Sequence, residues 1–274
     1  MGVTYDGPVP LAILAADHGR PLTDMLDALG RDSGPDAQRA FKADLLDTVA
    51  RDASGVLIDP DVSLPALRDR VPPGVDLLVR IEGDDVDEVA GVRHTLMVPD
   101  LGADGARERG ADAAKLMVFL RADRDDGYTT QLVRDVLEDC RRADLPCVVE
   151  LMTYRLGDES VERFAARRED LIVEGAVLLQ ECGAEVLKLE YPGSAQGCRR
   201  VTDALGVPWA VLSAGVDHDA FCDQLRASMD GGAAGFIAGR SLWKEAVGLD
   251  AAERRAFLDG VARRRFEELL AILG

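Results

Sequence analysis

Short apolar runs rich in Val, Leu and Ile recur along the chain, and each is bounded by Gly, Pro or Asp. Continuous apolar runs of this length are typical of parallel β-strands that are buried on both faces of a sheet. Eight of these runs are predicted to be strands, over residues 10–16, 55–59, 76–81, 113–120, 147–152, 186–191, 209–214 and 235–238. Their fairly even spacing predicts a regular alternation with a second kind of element.

The segments between the runs have apolar positions three and four residues apart, the spacing of an amphipathic helix. Seven helices are predicted, over residues 40–50, 103–109, 130–143, 168–182, 196–205, 218–229 and 251–273. Prolines leave room for little more than two turns after residue 59, and the long segment 82–100 is predicted to hold a short extra strand or helix. This alternation predicts a (β/α)8 TIM barrel, with a doubly wound sheet as the alternative. No repeat or linker stands out, so residues 1–274 are predicted to form a single domain.

The composition excludes several classes of partner. Of the 274 residues, 47% are hydrophobic, and 32 basic against 50 acidic side chains give a net charge of −18. Nucleic acids and anionic membranes bind basic surfaces, so neither is an expected partner. No apolar stretch approaches the ~18 residues that span a bilayer, and no basic segment followed by an apolar one marks the N terminus. We therefore expect a soluble cytoplasmic protein whose five cysteines are reduced thiols.

Lysine is scarce, and two of the four lysines stand where a lysine is least expected. The four lysines are Lys42, Lys115, Lys188 and Lys244. This scarcity of lysine fits either a cytoplasm of high salt or a GC-rich genome that encodes arginine in place of lysine. Lys115 and Lys188 lie within strand-like runs, where an ammonium group loses its hydration. Arginine stays protonated, whereas a desolvated lysine can become a neutral amine nucleophile. These two lysines are therefore candidates for covalent chemistry.

A Schiff-base enzyme needs a neutral lysine, whose pKa of about 10.4 in water must be lowered by burial or by a neighbouring cation. Lys115 and Lys188 belong to the fourth and sixth strands, and residues on alternate strands of a barrel share a layer, so each is predicted to lower the pKa of the other. Glu190 shares the face of Lys188, and Glu150 ends the strand between the two lysines, as proton transfer requires. The alternative is that each lysine extends to solvent and pairs with Glu150 or Glu190.

Two segments predict a site for a phosphate group. Residues 212–215 end the seventh strand and residues 238–241 end the eighth, and both contain small residues that let backbone amides approach an anion. Ser213, Gly215 and Gly239 are the candidates there, and Arg240 can bind an anion through two hydrogen bonds. A glycine after a strand can also simply turn the chain.

The first strand ends in Asp17, which shares the parity of Ile13 and is predicted to point inward to substrate hydroxyls. His18 and Arg20 are placed on the following loop, where the alternative is a solvated turn. The three histidines are scattered along the sequence, so no metal site and no cofactor is predicted.

The chain resembles the class I aldolases of the tagatose-1,6-bisphosphate aldolase family, whose relative is the sulfofructose-phosphate aldolase of sulfoquinovose breakdown. The likeness covers nearly the whole length, with anchors at residues 14–17, 114–116, 149–150, 187–190, 208–217 and 235–243. Its most specific motifs are Lys188-Leu189-Glu190 and Gly239-Arg240 followed by Trp243. Family members read Asp-Gln-Arg after the first strand, whereas here His18 and Gly19 take the last two positions and Arg20 follows. Arg155 is a candidate for the missing cation.

The resemblance implies a metal-free barrel in which Lys188 forms an iminium with dihydroxyacetone phosphate. Lys115 is then the second active-site lysine, Glu150 a proton-transfer residue and Asp17 a ligand of substrate hydroxyls. An anionic end of the substrate is implied to bind at Ser213, Gly215, Gly239 and Arg240, and Arg20 and Glu190 complete the candidate binding residues. Relatives assemble as dimers or tetramers, so a homo-oligomer is expected.

The expected reaction is cleavage of a C1-phosphorylated ketohexose derivative to dihydroxyacetone phosphate and a three-carbon aldehyde. The segment 235–249 resembles the sulfofructose-phosphate branch, which favours 6-deoxy-6-sulfofructose 1-phosphate over tagatose or fructose 1,6-bisphosphate. Two other classes stay open: a metal-dependent or isomerase barrel with the same phosphate site, and a non-catalytic sugar-phosphate sensor.

Overall fold

In the computed structural model, which describes residues 10–64 and 66–274, eight parallel strands close into a barrel. The barrel strands are β1 (Leu11–Ala15), β2 (Gly55–Ile58), β3 (Asp76–Arg80), β6 (Ala113–Phe119), β7 (Cys147–Met152), β8 (Val186–Leu189), β9 (Trp209–Leu212) and β10 (Gly235–Ala238). The β1 ladder closes the ring, because Leu11 pairs with Gly235 and Leu14 with Ala238. This closure confirms the (β/α)8 barrel and all eight predicted strands, and it excludes the open doubly wound sheet.

Ten α-helices connect or cover the described strands. They are α1 (Arg20–Ala28), α2 (Pro35–Val49), α3 (Gly102–Glu108), α4 (Tyr128–Arg142), α5 (Val161–Glu181), α6 (Ala195–Ala204), α7 (His218–Asp230), α8 (Arg240–Trp243), α9 (Ala251–Phe257) and α10 (Arg263–Leu273). The sequence pattern misses α1 and α8. In the described part of the chain, none of these helices has both the length and the apolar composition that crossing a bilayer requires.

Three predicted helices have different bounds in the structure, and the first of them, α2, begins at Pro35 where residue 40 is predicted. Helix α5 begins at Val161, well before the predicted start at residue 168, because its first turns are largely exposed and show no apolar periodicity. Its start is instead marked by Ser160, whose Oγ accepts a hydrogen bond from the backbone N–H of Arg163 at 3.2 Å. The predicted helix 251–273 is divided into α9 and α10 by a π-helical turn over Leu258–Ala262.

The long segment after the third barrel strand forms an antiparallel hairpin of β4 (Glu82–Val89) and β5 (Val92–Met97). Val89 pairs with Val92 across a two-residue turn in which Ala90 and Gly91 both have positive φ, at 52° and 82°. Two residues in this conformation match the right-handed twist of paired strands. The extra element predicted for residues 82–100 is thus a β-hairpin, and its first strand starts beside the ends of the barrel strands.

The inside of the barrel changes from apolar to polar along the strands. A buried apolar cluster inside the barrel is separate from the larger core, which holds the side chains on the outer face of the strands. The inner cluster includes Leu11, Ile13, Leu57, Leu78, Val148, Val186 and Ala210. Because side chains alternate along a strand, the next inward positions after Val148 and Val186 are Glu150 and Lys188. The barrel interior therefore presents charged groups at the carboxyl ends of its strands, where active sites of this fold lie.

Candidate active site

A cavity of about 580 Å³ opens at the carboxyl ends of the strands. Nine of the ten candidate residues from the sequence line it: Asp17, Arg20, Lys115, Glu150, Lys188, Ser213, Gly215, Gly239 and Arg240. They lie on or shortly after six different barrel strands, so only closure of the barrel brings them to one place. Met117, Phe119 and Met152 add an apolar side to the same cavity.

Glu190 is the candidate that does not line this cavity. Strand β8 ends at Leu189, so the inward-outward alternation that places Lys188 inside the barrel does not extend to Glu190. Its carboxylate accepts hydrogen bonds from the backbone N–H and Oγ1 of Thr153, at 2.9 and 2.7 Å, and pairs with Arg168 at 2.8 Å. The structure thus places Glu190 as a link between the loop after β7 and helix α5, where the sequence predicts a substrate contact.

Lys115 lies among three carboxylates. Its Nζ is 2.6 Å from Glu82, 2.7 Å from Glu150 and 3.2 Å from Asp17, and its side chain is buried. Burial acts to lower the pKa of Lys115, but the carboxylates of Glu150, Glu82 and Asp17 outweigh it and hold that pKa well above its usual range. The expectation that the two lysines lower each other's pKa is therefore wrong for Lys115, because its nearest charges are anions.

Lys188 has a different environment from Lys115. Glu150 and Lys188 are register partners on the neighbouring strands β7 and β8, and Glu150 Oε1 lies 3.0 Å from Lys188 Nζ. The other oxygen of Glu150 contacts Lys115, so one carboxylate bridges both amines. Burial acts to raise the pKa of Glu150, but the charges of Lys115 and Lys188 bring it below its usual range. Glu150 is therefore an ionised acceptor placed between Lys115, which contacts three carboxylates, and Lys188, which contacts Glu150 alone among the carboxylates of residues 10–64 and 66–274.

Asp17 and His18, at the end of β1, both have lowered pKa values, which leaves Asp17 ionised and His18 neutral. Burial acts to raise the pKa of Asp17, but Lys115 and Lys188 lower it far below its usual range, so this carboxylate stays ionised. Burial lowers the pKa of His18 to about 3, with Asp17 opposing that shift, so its imidazole is neutral at physiological pH. The ring of His18 meets the ring of Trp243 edge-on, at 5.1 Å between centroids. His18 is thus a neutral polar group that is held in place by packing.

Arg80 and Glu82 are site residues that the sequence analysis missed. Arg80 ends β3, is buried, lines the cavity and forms an ion pair with Asp84 of the hairpin. An arginine inside a predicted apolar strand was the available signal for it. Glu82 opens the hairpin and also accepts a hydrogen bond from the backbone N–H of Met117 at 3.0 Å. Burial raises the pKa of Glu82, and Lys115 and Arg80 offset this only in part. No local pattern marks Glu82, because its partners lie on other strands.

The loops after β9 and β10 form a recess for an anion. Ala214 and Gly215 both have positive φ, at 49° and 75°, and a Cβ atom on Gly215 would lie 3.3 Å from Cζ of Arg240. A Cβ atom on Gly239 would lie 2.7 Å from the carbonyl oxygen of Ala15, so only glycine fits there. Nε of Arg240 is buried and has no hydrogen-bond partner among residues 10–64 and 66–274. A guanidinium held against a glycine loop with a free donor suits an anionic ligand.

Two side chains hold this recess from behind. The indole Nε1 of Trp243 donates to the carbonyl of Ala15 at 3.2 Å, which ties helix α8 to the end of β1. Nζ of Lys244 donates to the carbonyl of Gly215 at 3.1 Å and to Asp217 at 2.6 Å, which fixes the loop after β9. The Gly-Arg-x-x-Trp motif and the lysine after it therefore position Arg240 and Gly215 relative to each other.

Arg20 and Arg155 have different positions. Arg20 starts α1 at the rim of the cavity, is exposed and pairs with Asp85 of the hairpin. Arg155 donates to the carbonyl of Glu159 in its own loop and does not line the cavity. Arg155, the candidate for the missing cation, therefore lies outside the cavity, whereas Arg80 lies in the cavity wall.

Comparisons with known proteins identify the family of this chain. The model of the DeoC/LacD family aldolases matches residues 11–245. The chain is 27% identical to tagatose 1,6-diphosphate aldolase 2 of Streptococcus pyogenes serotype M1 over 223 residues, covering 71% of this chain and 68% of the relative. It is 26% identical to the enzyme of the same name from Enterococcus faecalis over 272 residues, covering 86% and 80%.

Among solved structures, an archaeal fructose-1,6-bisphosphate aldolase with its catalytic lysine bound to a carbinolamine intermediate has the same fold. Its TM-score is 0.65 at 19% identity, over 95% of this chain and 94% of that one. The family match covers most of the chain and includes all eight barrel strands. This chain is therefore a member of the DeoC/LacD family of aldolases.

Proposed function

We propose that this aldolase cleaves a C1-phosphorylated ketohexose derivative through a Schiff base on Lys188, releasing dihydroxyacetone phosphate and a three-carbon aldehyde. The observation that carries the proposal is the position of Glu150 between the two buried lysines. Lys115 is held as a cation by three carboxylates, whereas Lys188 has one carboxylate partner in the described part of the chain, Glu150 at 3.0 Å. Lys188 is therefore the amine that can give up its proton and attack a carbonyl.

The residues provide a route for each proton. Glu150 takes a proton from Lys188, and Nζ attacks the C2 carbonyl to form a carbinolamine. Glu150 then returns the proton to the C2 hydroxyl, water leaves, and an iminium forms. When the C4 hydroxyl loses its proton to Glu150, the C3–C4 bond breaks and its electron pair moves into the iminium, giving an enamine and the free aldehyde. Protonation at C3 and hydrolysis release dihydroxyacetone phosphate and restore the amine.

Asp17 and Lys115 are assigned supporting roles. The strongly lowered pKa of Asp17 makes it a permanent anion, which suits a hydrogen-bond acceptor for substrate hydroxyls and not a proton carrier. Lys115 keeps Glu150 ionised and supplies positive charge beside the reacting centre. Because the loops after the last two barrel strands are the usual phosphate site of this fold, the C1 phosphate is assigned to Ser213, Gly215, Gly239 and Arg240.

The proposed group at C6 is a sulfonate, which makes 6-deoxy-6-sulfofructose 1-phosphate the preferred substrate and sulfolactaldehyde the aldehyde. Arg20 and Arg80 both line the cavity beside the hairpin, and each is paired with an aspartate of the hairpin, Asp85 and Asp84 respectively. A sulfonate carries one negative charge, whereas a phosphate carries about 1.5 to 2 and would meet more repulsion there. The names of the relatives support the alternative, tagatose or fructose 1,6-bisphosphate.

Covalent trapping tests the mechanism. Borohydride reduction with dihydroxyacetone phosphate, followed by peptide mass mapping, should place the adduct on Lys188, and Lys188→Arg should remove it. Lys115→Arg is the matched control, because it keeps the second cation and should leave the adduct in place. An adduct on Lys115, or on no lysine at all, would overturn the proposal.

Comparing kcat/KM for the sulfonated and the bisphosphorylated sugars tests the substrate. Asp84→Asn should raise the relative kcat/KM of the bisphosphate, because it removes an anion that already pairs with Arg80. A preference of the unmodified enzyme for tagatose 1,6-bisphosphate would refute the sulfonate assignment and leave the Lys188 mechanism standing.

We infer that residues 1–274 act as one cytoplasmic aldolase domain and that the chain forms a homo-oligomer. Exposed apolar side chains on the hairpin support an oligomer, because such a surface is suited to contact with another protein. Val86, Val89 and Leu96 are 40%, 48% and 39% exposed to solvent. Light scattering after gel filtration should give at least twice the mass of one chain, and a monomer would refute the assembly.

A further inference from the structure

A histidine, a cysteine and a glutamate meet outside the aldolase cavity, on the outer helices. His218 starts α7, Cys222 follows one turn later, and Glu268 belongs to α10. Their ligating atoms all lie within 4.8 Å of one another. None of the three lines the active-site cavity, so the mechanism proposed for Lys188 does not use them.

We propose that His218, Cys222 and Glu268 bind a zinc ion that joins α7 to α10. Imidazole nitrogen, thiolate sulfur and carboxylate oxygen are the three protein ligand types of Zn²⁺, and three ligands plus a water complete its usual tetrahedron. The mixed hard and soft donor set disfavours Mg²⁺ and Ca²⁺, which take oxygen ligands.

The distances between the ligands fit this ion. In a tetrahedral zinc site a nitrogen and a sulfur ligand lie about 3.5 Å apart, and a nitrogen and an oxygen ligand about 3.3 Å apart. Here Nε2 of His218 lies 3.4 Å from Sγ of Cys222 and 2.7 Å from Oε2 of Glu268. The nitrogen–sulfur distance already fits, and the nitrogen–oxygen distance has to lengthen by roughly 0.6 Å through a shift of the Glu268 side chain. It can do so because 51% of that side chain is exposed.

The histidine is also able to present Nε2 as a ligand. Its other nitrogen, Nδ1, is buried without a hydrogen-bond partner in the described ranges 10–64 and 66–274, so no contact there fixes the tautomer. Arg264 is the competing cation, with Nε 3.8 Å from the other oxygen of Glu268. At this distance and exposure it leaves Oε2 free for an ion.

The position of the cluster indicates what the ion does. His218 directly follows Asp217, which pairs with the same Lys244 that holds the carbonyl of Gly215. A zinc ion on His218 would therefore fix the first turn of α7, just after the anion-binding loop, against the penultimate turns of the last helix. A bound ion would add a cross-link between α7 and α10, joining residues 50 positions apart.

Metal titration of the purified full chain tests the site. After treatment with a chelator, one equivalent of Zn²⁺ should bind in competition with a chromophoric chelator, and the melting temperature should rise by about 5 °C at a hundredfold excess over Kd. Co²⁺ should give the visible bands of a tetrahedral site and a thiolate charge-transfer band in the near ultraviolet.

Two variants and one control decide the assignment. Cys222→Ser should abolish the charge-transfer band, and Glu268→Gln, a change at an exposed side chain that keeps the fold, should weaken zinc binding at least about tenfold. Cys182→Ser, at another buried cysteine, should bind as the unmodified protein does. Less than one tenth of an equivalent bound by the unmodified chain would overturn the proposal. So would equal affinity in Glu268→Gln, or loss of binding in Cys182→Ser alone.

Discussion

Glu150 Oε1 lies 3.0 Å from Nζ of Lys188, its register partner on the next strand of the barrel. Neighbouring parallel strands hold such partners side by side, so this contact is fixed by the backbone and not by a flexible loop. The other Glu150 oxygen, 2.7 Å from Lys115, links the proposed nucleophile to the buried charge cluster.

Replacing Glu150 tests its part in proton transfer. Glu150→Gln keeps the shape of the side chain but removes the proton acceptor, so kcat should fall by about 10²- to 10⁴-fold while substrate binding changes less. Single-turnover trapping with borohydride should show slower formation of the adduct on Lys188. Glu181→Gln, at an exposed position on α5, is the control. Unchanged kcat in Glu150→Gln would contradict the assignment.

Lys115 is predicted to stabilise the fold as well as the site. Lys115→Met leaves three buried carboxylates without their shared cation, so the free energy of unfolding should fall by about 3–5 kcal/mol near neutral pH. The folded-state pKa values of these carboxylates then rise above their unfolded values, so the loss should shrink as the pH is lowered. Urea unfolding of Lys115→Met at acidic and neutral pH measures this. A loss that is equal at both pH values would refute the charge argument.

The lowered pKa of Asp17 predicts that the protein loses stability in acid. Its folded-state pKa lies far below the unfolded value of about 3.9, so its contribution to stability is present above that value and is lost as the pH falls below it. The free energy of unfolding should decrease from pH 5 to pH 3, and Asp17→Asn should show a shallower decrease over about the same range. Chemical denaturation at several pH values gives both slopes, and identical slopes would exclude Asp17 as a source of the acid sensitivity.

Arg240 is predicted to set the affinity for the phosphate. Arg240→Gln should raise KM about 10- to 100-fold, because a charge-assisted pair of hydrogen bonds is lost, and Arg240→Lys should give an intermediate value since lysine binds as a point charge. Steady-state kinetics measures this, with Arg226→Gln on the outer face of α7 as the control. A KM for Arg240→Gln equal to that of the unmodified enzyme would place the phosphate elsewhere.

His18 is predicted to behave as a neutral side chain. With a pKa of about 3 it carries no charge at physiological pH, so it acts as a neutral hydrogen-bonding group. His18→Gln should leave the pH profile of kcat/KM unchanged from about pH 5 to pH 8. A profile that loses an ionisation in this range in the variant would show that His18 titrates there.

The sequence by itself determined the alternation of strands and helices, the two strand lysines and the small-residue loops, because these features depend on neighbours within one element. It also determined which residues face inward as long as a strand continues. The prediction for Glu190 is wrong because β8 ends at Leu189, one residue before it.

Only the tertiary structure decided which charges meet. Closure of the barrel brings Asp17, Glu82 and Glu150 from three elements onto one ammonium group, and this reverses the expected direction of the pKa of Lys115. Glu268 reaches His218 in the same way, from 50 positions away. Electrostatic effects depend on distances of a few ångströms between elements, and the spacing of residues along a chain does not contain those distances.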